Sequence, residues 1–255
     1  TDKIDVTQIK LKPLTDLNRK TIFKFVDDAD DYAFTVYKAS VSNHLYGSKK
    51  FDASITTGGY QSVLDGEEEI IAEPFAATVP KPLMEQFSDF ITPSIYSYNP
   101  DDGTSEAFDN APRIMINNGV KTLTSCTYNV PSQNNLPGDA FENEFLQFSH
   151  LTNIPTNPNY PPTQSYDFHF GECQLVPPIG NPTPLNLFNL YWLPYFNELY
   201  DPDTRIMSLK VNLTPADITT FNMYDTVFIK NRQFRVNKID YKPNDLATVE
   251  FILIP

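Results

Sequence analysis

YWLPYFNELYDPDTRIMSLKVNLTPADITTFNMYDTVFIKNRQFRVNKIDYKPNDLATVEFILIP, residues 191–255, is the stretch whose reading decides the architecture. Met207, Leu209, Val211 and Leu213 alternate with Ser208, Lys210 and Asn212, the period of two expected of a strand with one buried face. Thr214-Pro215-Ala216-Asp217 follows. Thr at the N-cap, Pro at the first helical position and Asp beside the exposed N–H groups start a helix. The room before the next strand limits it to a turn or two, to about Phe221. Asp225 to Ile229 reads as a second strand and Lys230-Asn231-Arg232 as a tight polar turn. Gln233 to Tyr241 is a third strand, with Phe234 and Val236 on one face and a bulge near Asn237-Lys238, where the alternation slips. Lys242-Pro243-Asn244-Asp245 is a turn by composition. Leu246 to Ile254 closes the chain as a strand apolar on both faces at its end, which predicts that it is covered there. The order describes a small closed or half-closed β domain whose core is too small to be robust alone.

The rest of the 255 residues divides by composition. Lys20 to Val26, Tyr32 to Ser42 and Phe51 to Thr56 read as strands, separated by the acidic turn Asp27-Asp28-Ala29-Asp30-Asp31 and ended by Gly58-Gly59. Pro82 to Phe90 carries Leu83, Phe87 and Phe90 at helical spacing and predicts a short helix. Arg113 to Ile116 and Val120 to Asn129 predict a hairpin around Asn117-Asn118-Gly119. Val130 to Pro184 holds ten of the 22 prolines, which fix φ and remove ladder donors, so most of it cannot supply central strands. Phe141, Phe145, Leu146, Phe148, Tyr160, Tyr166, Phe168 and Phe170 make it too aromatic for a disordered linker. A long extended loop packed against a neighbour fits both facts. The expectation is a mainly β protein with one or two short helices. Residues 1–129 form an N-terminal β-rich domain, 130–190 a Pro/Asn/aromatic-rich loop region and 191–255 a small C-terminal β domain.

Charge narrows the classes of partner. The formal net charge is −13. Residues 204–255 carry seven Lys/Arg and five Asp/Glu, a net of +2, which leaves −15 for residues 1–203. An acidic front argues against a phosphate-backbone partner, and no sequence-specific nucleic-acid binding is expected. The run Asp65-Gly66-Glu67-Glu68-Glu69 reads as a solvated turn. No apolar run reaches the length that spans a bilayer, no secretory-signal pattern is present, and no membrane partner is expected. The first residue is Thr1 rather than Met, as expected of a processed chain or a part of a longer polypeptide. Cys126 and Cys173 are too few for a disulfide framework and fit buried thiols at least as well as a pair.

Chemistry-bearing residues are few. His169 and Cys173, with Glu172 between them and Cys126 elsewhere, are metal-ligating types. No CxxC or HExxH spacing supports them, so they read as core and no metal is expected. Asp101 to Glu106 lacks the ligand spacing of a calcium loop and reads as a surface turn. Asp201-Pro202-Asp203 reads as a turn rather than half of a carboxylate pair acting on a sugar. GxSxG, GxxxxGK[ST] and GxGxxG are missing, so neither a catalytic site nor a cofactor is expected. Tyr191, Trp192, Tyr195, Phe196 and Tyr200 are spaced as a short amphipathic helix buries its apolar side. With Arg205 they are the candidate subunit-contact residues; a carbohydrate platform is the competing use of such aromatics. Asn212-Leu213-Thr214 matches a glycosylation sequon but lies in a strand and precedes Pro215.

Trp192-x-x-Tyr195, Leu199-Tyr200, Arg205, Thr214 to Ile218, Asp225 to Ile229 and Phe234 to Ile239 form a succession. That succession resembles the C-terminal part of baseplate or tail-hub structural proteins of tailed bacteriophages. Pro112-Arg113-Ile114 followed by Asn117-Asn118-Gly119 is similar to an upstream step of the same group. The resemblance covers the last third of the chain and that step; residues 1–80 and the proline-rich stretch lie outside it. It implies small tail-tube-like β-barrel or sandwich domains in a virion protein made in the host cytoplasm. It further implies a homo-oligomer, trimer or hexamer, in contact with other tail or baseplate proteins. On this reading the apolar strand Leu246 to Ile254 is an edge covered by a neighbouring subunit. A carbohydrate-binding β-sandwich module of a secreted or surface protein is the alternative, with an exposed aromatic strip and a monomeric state. A glycan-degrading enzyme is a third reading, for which the chain offers no convincing pair of carboxylates.

Overall fold

A computed structural model describes residues 3–14, 16–28, 30–40, 45–56, 64–84, 87–93, 103, 110–122, 127–130, 140–153, 165–171 and 183–255. The strands run β1 (Ile4–Pro13), β2 (Lys20–Val26), β3 (Lys49–Asp52), β4 (Glu67–Ala76), β5 (Pro80–Met84), β6 (Phe87–Pro93), β7 (Ile116–Thr122) and β8 (Tyr128–Val130). They continue with β9 (Ala140–Glu142), β10 (Glu144–Ser149), β11 (Tyr166–Asp167), β12 (Leu185–Asn186), β13 (Arg205–Val211), β14 (Thr226–Ile229), β15 (Arg232–Asp240) and β16 (Ala247–Leu253). The helices are α1 (Tyr32–Ser40), α2 (Ala53–Thr56), α3 (Leu193–Leu199) and α4 (Pro215–Thr220), with a π-helical turn over Phe188–Trp192. The protein is mainly β, as its patterning predicts. It forms two compact units: Thr1–Thr21, Phe51–Glu68 and Tyr191–Pro255 in one, Ile22–Lys50 and Glu69–Leu190 in the other.

The first unit is built on a curled antiparallel sheet in the order β1-β13-β16-β15-β14. Met207, Leu209 and Val211 of β13, Phe234 and Val236 of β15, and Ala247, Val249 and Phe251 of β16 share one buried cluster. Ile206 and Ile252 point the other way and pack with Leu199, Leu14, Leu17 and Tyr200. The helix start at Thr214 is a reciprocal capping box: Asp217 N–H donates to Thr214 Oγ1 at 3.3 Å, and Thr214 N–H donates to Asp217 Oδ2 at 2.9 Å. Lys230 and Asn231, at φ 48° and 66°, make the two-residue turn between β14 and β15. The β15–β16 register shifts between Val236 and Lys238, where the alternation predicts a bulge.

The last strand is placed differently from expectation. β16 is not an edge awaiting a neighbouring subunit; it lies in mid-sheet, hydrogen-bonded to β13 on one side and β15 on the other. Its apolar faces are covered within its own chain. β1 completes the sheet beyond β13, pairing Lys10↔Ser208 to Pro13↔Arg205 after a register shift that follows Asp5.

In the second unit three local expectations are corrected. Tyr32 to Ser40 is a helix rather than a strand. Asp31 Oδ1 accepts from Ala33 N–H at 3.0 Å and Phe34 N–H at 3.5 Å, capping its first turn, while Phe34 and Tyr37 are buried one turn apart. Pro82 to Phe90 is not a helix: β5 and β6 pair antiparallel, from Pro80↔Pro93 to Met84↔Phe87. Val79 and Lys81 each precede a proline, which drives them to extended backbone and outweighs the helical spacing of Leu83, Phe87 and Phe90. The Asn117-Asn118-Gly119 step is not a hairpin turn. It lies inside β7, which pairs with β10, and the register jumps from Leu146↔Val120 to Phe148↔Asn117. One extra residue on β7 makes a bulge, with Gly119 at φ 79° and Asn118 Nδ2 donating to Leu151 O at 2.8 Å. In the first unit, the strand expected over Phe51–Thr56 ends at Asp52, and Ala53 turns into α2.

Within the proline-rich stretch, β9, β10 and β11 are strands, and Phe170 is buried against Phe23 at 5.6 Å and Phe25 at 5.2 Å between ring centroids. Residues 131–139, 154–164 and 172–182, with the calls on Asp101, Asp102, Thr104, Ser105, Glu106, Cys126, Glu172 and Cys173, lie outside the described residues.

Candidate interaction surface

The six residues singled out at the start of the C-terminal stretch separate into two groups. Phe196 is buried, stacked on Phe51 at 4.7 Å with 17° between the planes, and Tyr200 leans on Phe51 at 5.0 Å. The Tyr200 hydroxyl donates to Asn18 O at 2.6 Å. Arg205 Nη1 donates to Pro202 O and Thr204 O at 2.6 and 2.8 Å and so secures the Asp201–Thr204 turn, where Asp203 N–H donates to Asp201 Oδ1. These three side chains serve the unit's own interior and turn. Tyr191, 71% exposed, and Tyr195 stand outward one helical turn apart, with Trp192 half-buried between them. Tyr195 is flanked by the bidentate pair of Arg235 with Glu198, at 2.5 and 2.9 Å. Partial burial pushes its phenol up.

The larger apolar surface lies at the margins of the curled sheet. Among the described residues neither β1 nor β14 has a strand on its outer side. Leu11 of β1 is 63% exposed and Phe228 of β14 is 72% exposed, and Ile9, Met223 and Tyr224 are exposed as well. Ile9, Leu11, Phe228, Arg232, Phe234 and Leu253 line one opening of about 1050 Å³. Leu11 from one outer strand and Phe228 from the other therefore line the same opening, with the guanidinium of Arg232, on β15, beside them. Unpaired edges of this kind template the addition of another strand. A second cavity, of about 420 Å³, borders the same buried cluster and is walled by Val211, Leu213, Ile218, Phe221, Val249 and Phe251. Lys3 stands at its rim, bound to Asp217 at 2.8 Å.

Sequence reasoning passed over Phe228 and Leu11, although a signal was present. Val227, Phe228 and Ile229 are apolar in succession, so one face of β14 had to carry a large side chain without a core.

The second unit holds a buried polar cluster. Tyr46 hydroxyl lies 2.9 Å from His150 Nε2, and His150 Nδ1 lies 2.8 Å from Asp167 Oδ1. That oxygen also accepts from His169 N–H at 2.8 Å and stands 3.4 Å from His169 Nδ1. Burial opposes the Asp167 charge, but the two histidines outweigh it and hold the carboxyl below its ordinary range. Burial, reinforced by His150, lowers His169 to about 4, so its imidazole is neutral at neutral pH. A second buried group joins Arg113 to Asp28 and, at 2.9 Å, to Asp31 Oδ2. Burial raises Asp31, partly offset by the Arg113 guanidinium. The described neighbours of His169 are His150, Asp167, Tyr46 and Phe25.

No protein-family model, no curated protein and no solved structure matches this chain.

Proposed function

We propose that this chain is a structural virion protein of a phage tail or baseplate, hub-like in position, that works by self-assembly rather than catalysis. It assembles as a closed trimer or hexamer, contacts neighbouring tail proteins, and is made in the host cytoplasm. Two independent lines support the reading: the resemblance carried by Trp192 to Ile239, and the open margins of the C-terminal sheet. The observation that carries it is the pair of outer strands β1 and β14, neither with a further partner among the described residues, which bring Leu11 and Phe228 to one opening. A monomer exposing two such edges invites uncontrolled strand pairing; a ring of copies covers them and closes.

Light scattering on the purified chain tests this. A discrete oligomer is expected for the native chain, and Phe228→Asp is expected to release monomers, since a charge there opposes burial in a contact. Phe228 is mostly exposed, so the substitution leaves the fold intact.

The outward Tyr191 and Tyr195 favour a second reading, a carbohydrate-binding module. It predicts a monomer whose glycan binding is lost in Tyr191→Ala, a result the assembly reading does not expect.

A further inference from the structure

We propose that His150, Asp167 and His169 bind a zinc ion in the second unit, with Tyr46 hydrogen-bonded to the far nitrogen of His150. The three residues offer one ligand atom each, and these atoms all lie within 4.8 Å of one another. A tetrahedral Zn2+ with bonds of about 2.0–2.2 Å sets its ligand atoms about 3.4 Å apart. His150 Nδ1 and His169 Nδ1 already stand 2.8 and 3.4 Å from Asp167 Oδ1, so small rotations suffice. Two imidazoles and a carboxylate are a donor set that zinc takes readily.

The surroundings fit as well. With Nδ1 on the metal, His150 Nε2 carries the proton and donates it to the Tyr46 hydroxyl 2.9 Å away, the outer-shell bond that fixes a ligating imidazole. The backbone N–H of His169 already donates to Asp167 Oδ1 and orients it. Three protein ligands leave one position for water. All three side chains are buried, so the ion enters as the chain folds. Its role is mechanical: Asp167 and His169 share a face two residues apart, and the ion ties them to the end of β10, which Phe168 N–H already meets through His150 O at 3.0 Å.

The test uses the full chain without a polyhistidine tag, produced in zinc-supplemented medium and measured for metal by mass spectrometry. About one zinc per chain, retained through dialysis against EDTA, is expected. Refolding from urea with Zn2+ is expected to raise the unfolding midpoint over refolding with EDTA, and refolding with Co2+ to give the visible absorption of a tetrahedral ion. His169→Gln is expected to abolish both effects, and Tyr46→Phe to weaken Zn2+ binding by about 10–100-fold. Metal-free protein whose midpoint is the same with Zn2+ and EDTA, and which stays colourless with Co2+, overturns the site. The native chain decides this even where a variant does not fold.

Discussion

Single residues in this protein are constrained by what surrounds them more than by their type. Gly47 sits at φ 76°, and a Cβ built there would lie 2.8 Å from the His169 ring. Gly119 has a similar φ of 79° but open space around it. Gly47→Ala should therefore cost about 2 kcal/mol or more, through strain and displacement of His169, while Gly119→Ala pays only for its backbone, about 1 kcal/mol. Thermal melts of the two variants check the ordering. Arg113 is a sharper case, since it and its partners Asp28 and Asp31 are almost wholly buried. Removing it in Arg113→Ala strands two carboxylates, and urea unfolding should show a loss of about 3–5 kcal/mol. Lys38→Ala breaks only the exposed pair with Asp27 and should change stability by less than about 1 kcal/mol.

At the scale of elements, α4 offers the clearest dependence on pH. Hydrogen bonds from Lys3 and then from the Thr214 backbone and hydroxyl lower Asp217 from 3.8 to about 2. Its folded value lies below its unfolded one, so its contribution is complete above pH 3.8 and is lost as pH falls through about 2. Unfolding followed between those limits should show a steeper loss in the native chain than in Asp217→Asn. This helix was legible in advance because Thr214, Pro215 and Asp217 act on adjacent backbone groups, and the β14–β15 turn and β15 bulge are equally local. The errors share a different cause. Tyr32 to Ser42 reads as a strand until Asp31 is seen capping a helix over Tyr32–Ser40, and Asp31 is held there by Arg113, 82 residues away. Asn117-Asn118-Gly119 suits a turn or a bulge, and only the pairing of β7 with β10 chooses between them. The histidine cluster was invisible for the same reason: His150 and Asp167 are brought together by bridging of Leu151 with Asp167, which no spacing motif encodes.

At the scale of the whole molecule, the C-terminal stretch was readable as strands but not as a sheet. The resemblance to tail proteins implies that its apolar last strand lies at an edge; the fold puts β16 in the middle and gives the edges to β1 and β14. The proposed self-assembly therefore rests on Leu11 and Phe228 rather than on Leu246 to Ile254. Light scattering of the native chain over a range of concentrations, beside Phe228→Asp, tests that claim most directly. A discrete trimer or hexamer is expected, converted by Phe228→Asp to monomer with an unchanged melting temperature. A native chain that stays monomeric at every concentration, or an oligomer indifferent to Phe228→Asp, would contradict it.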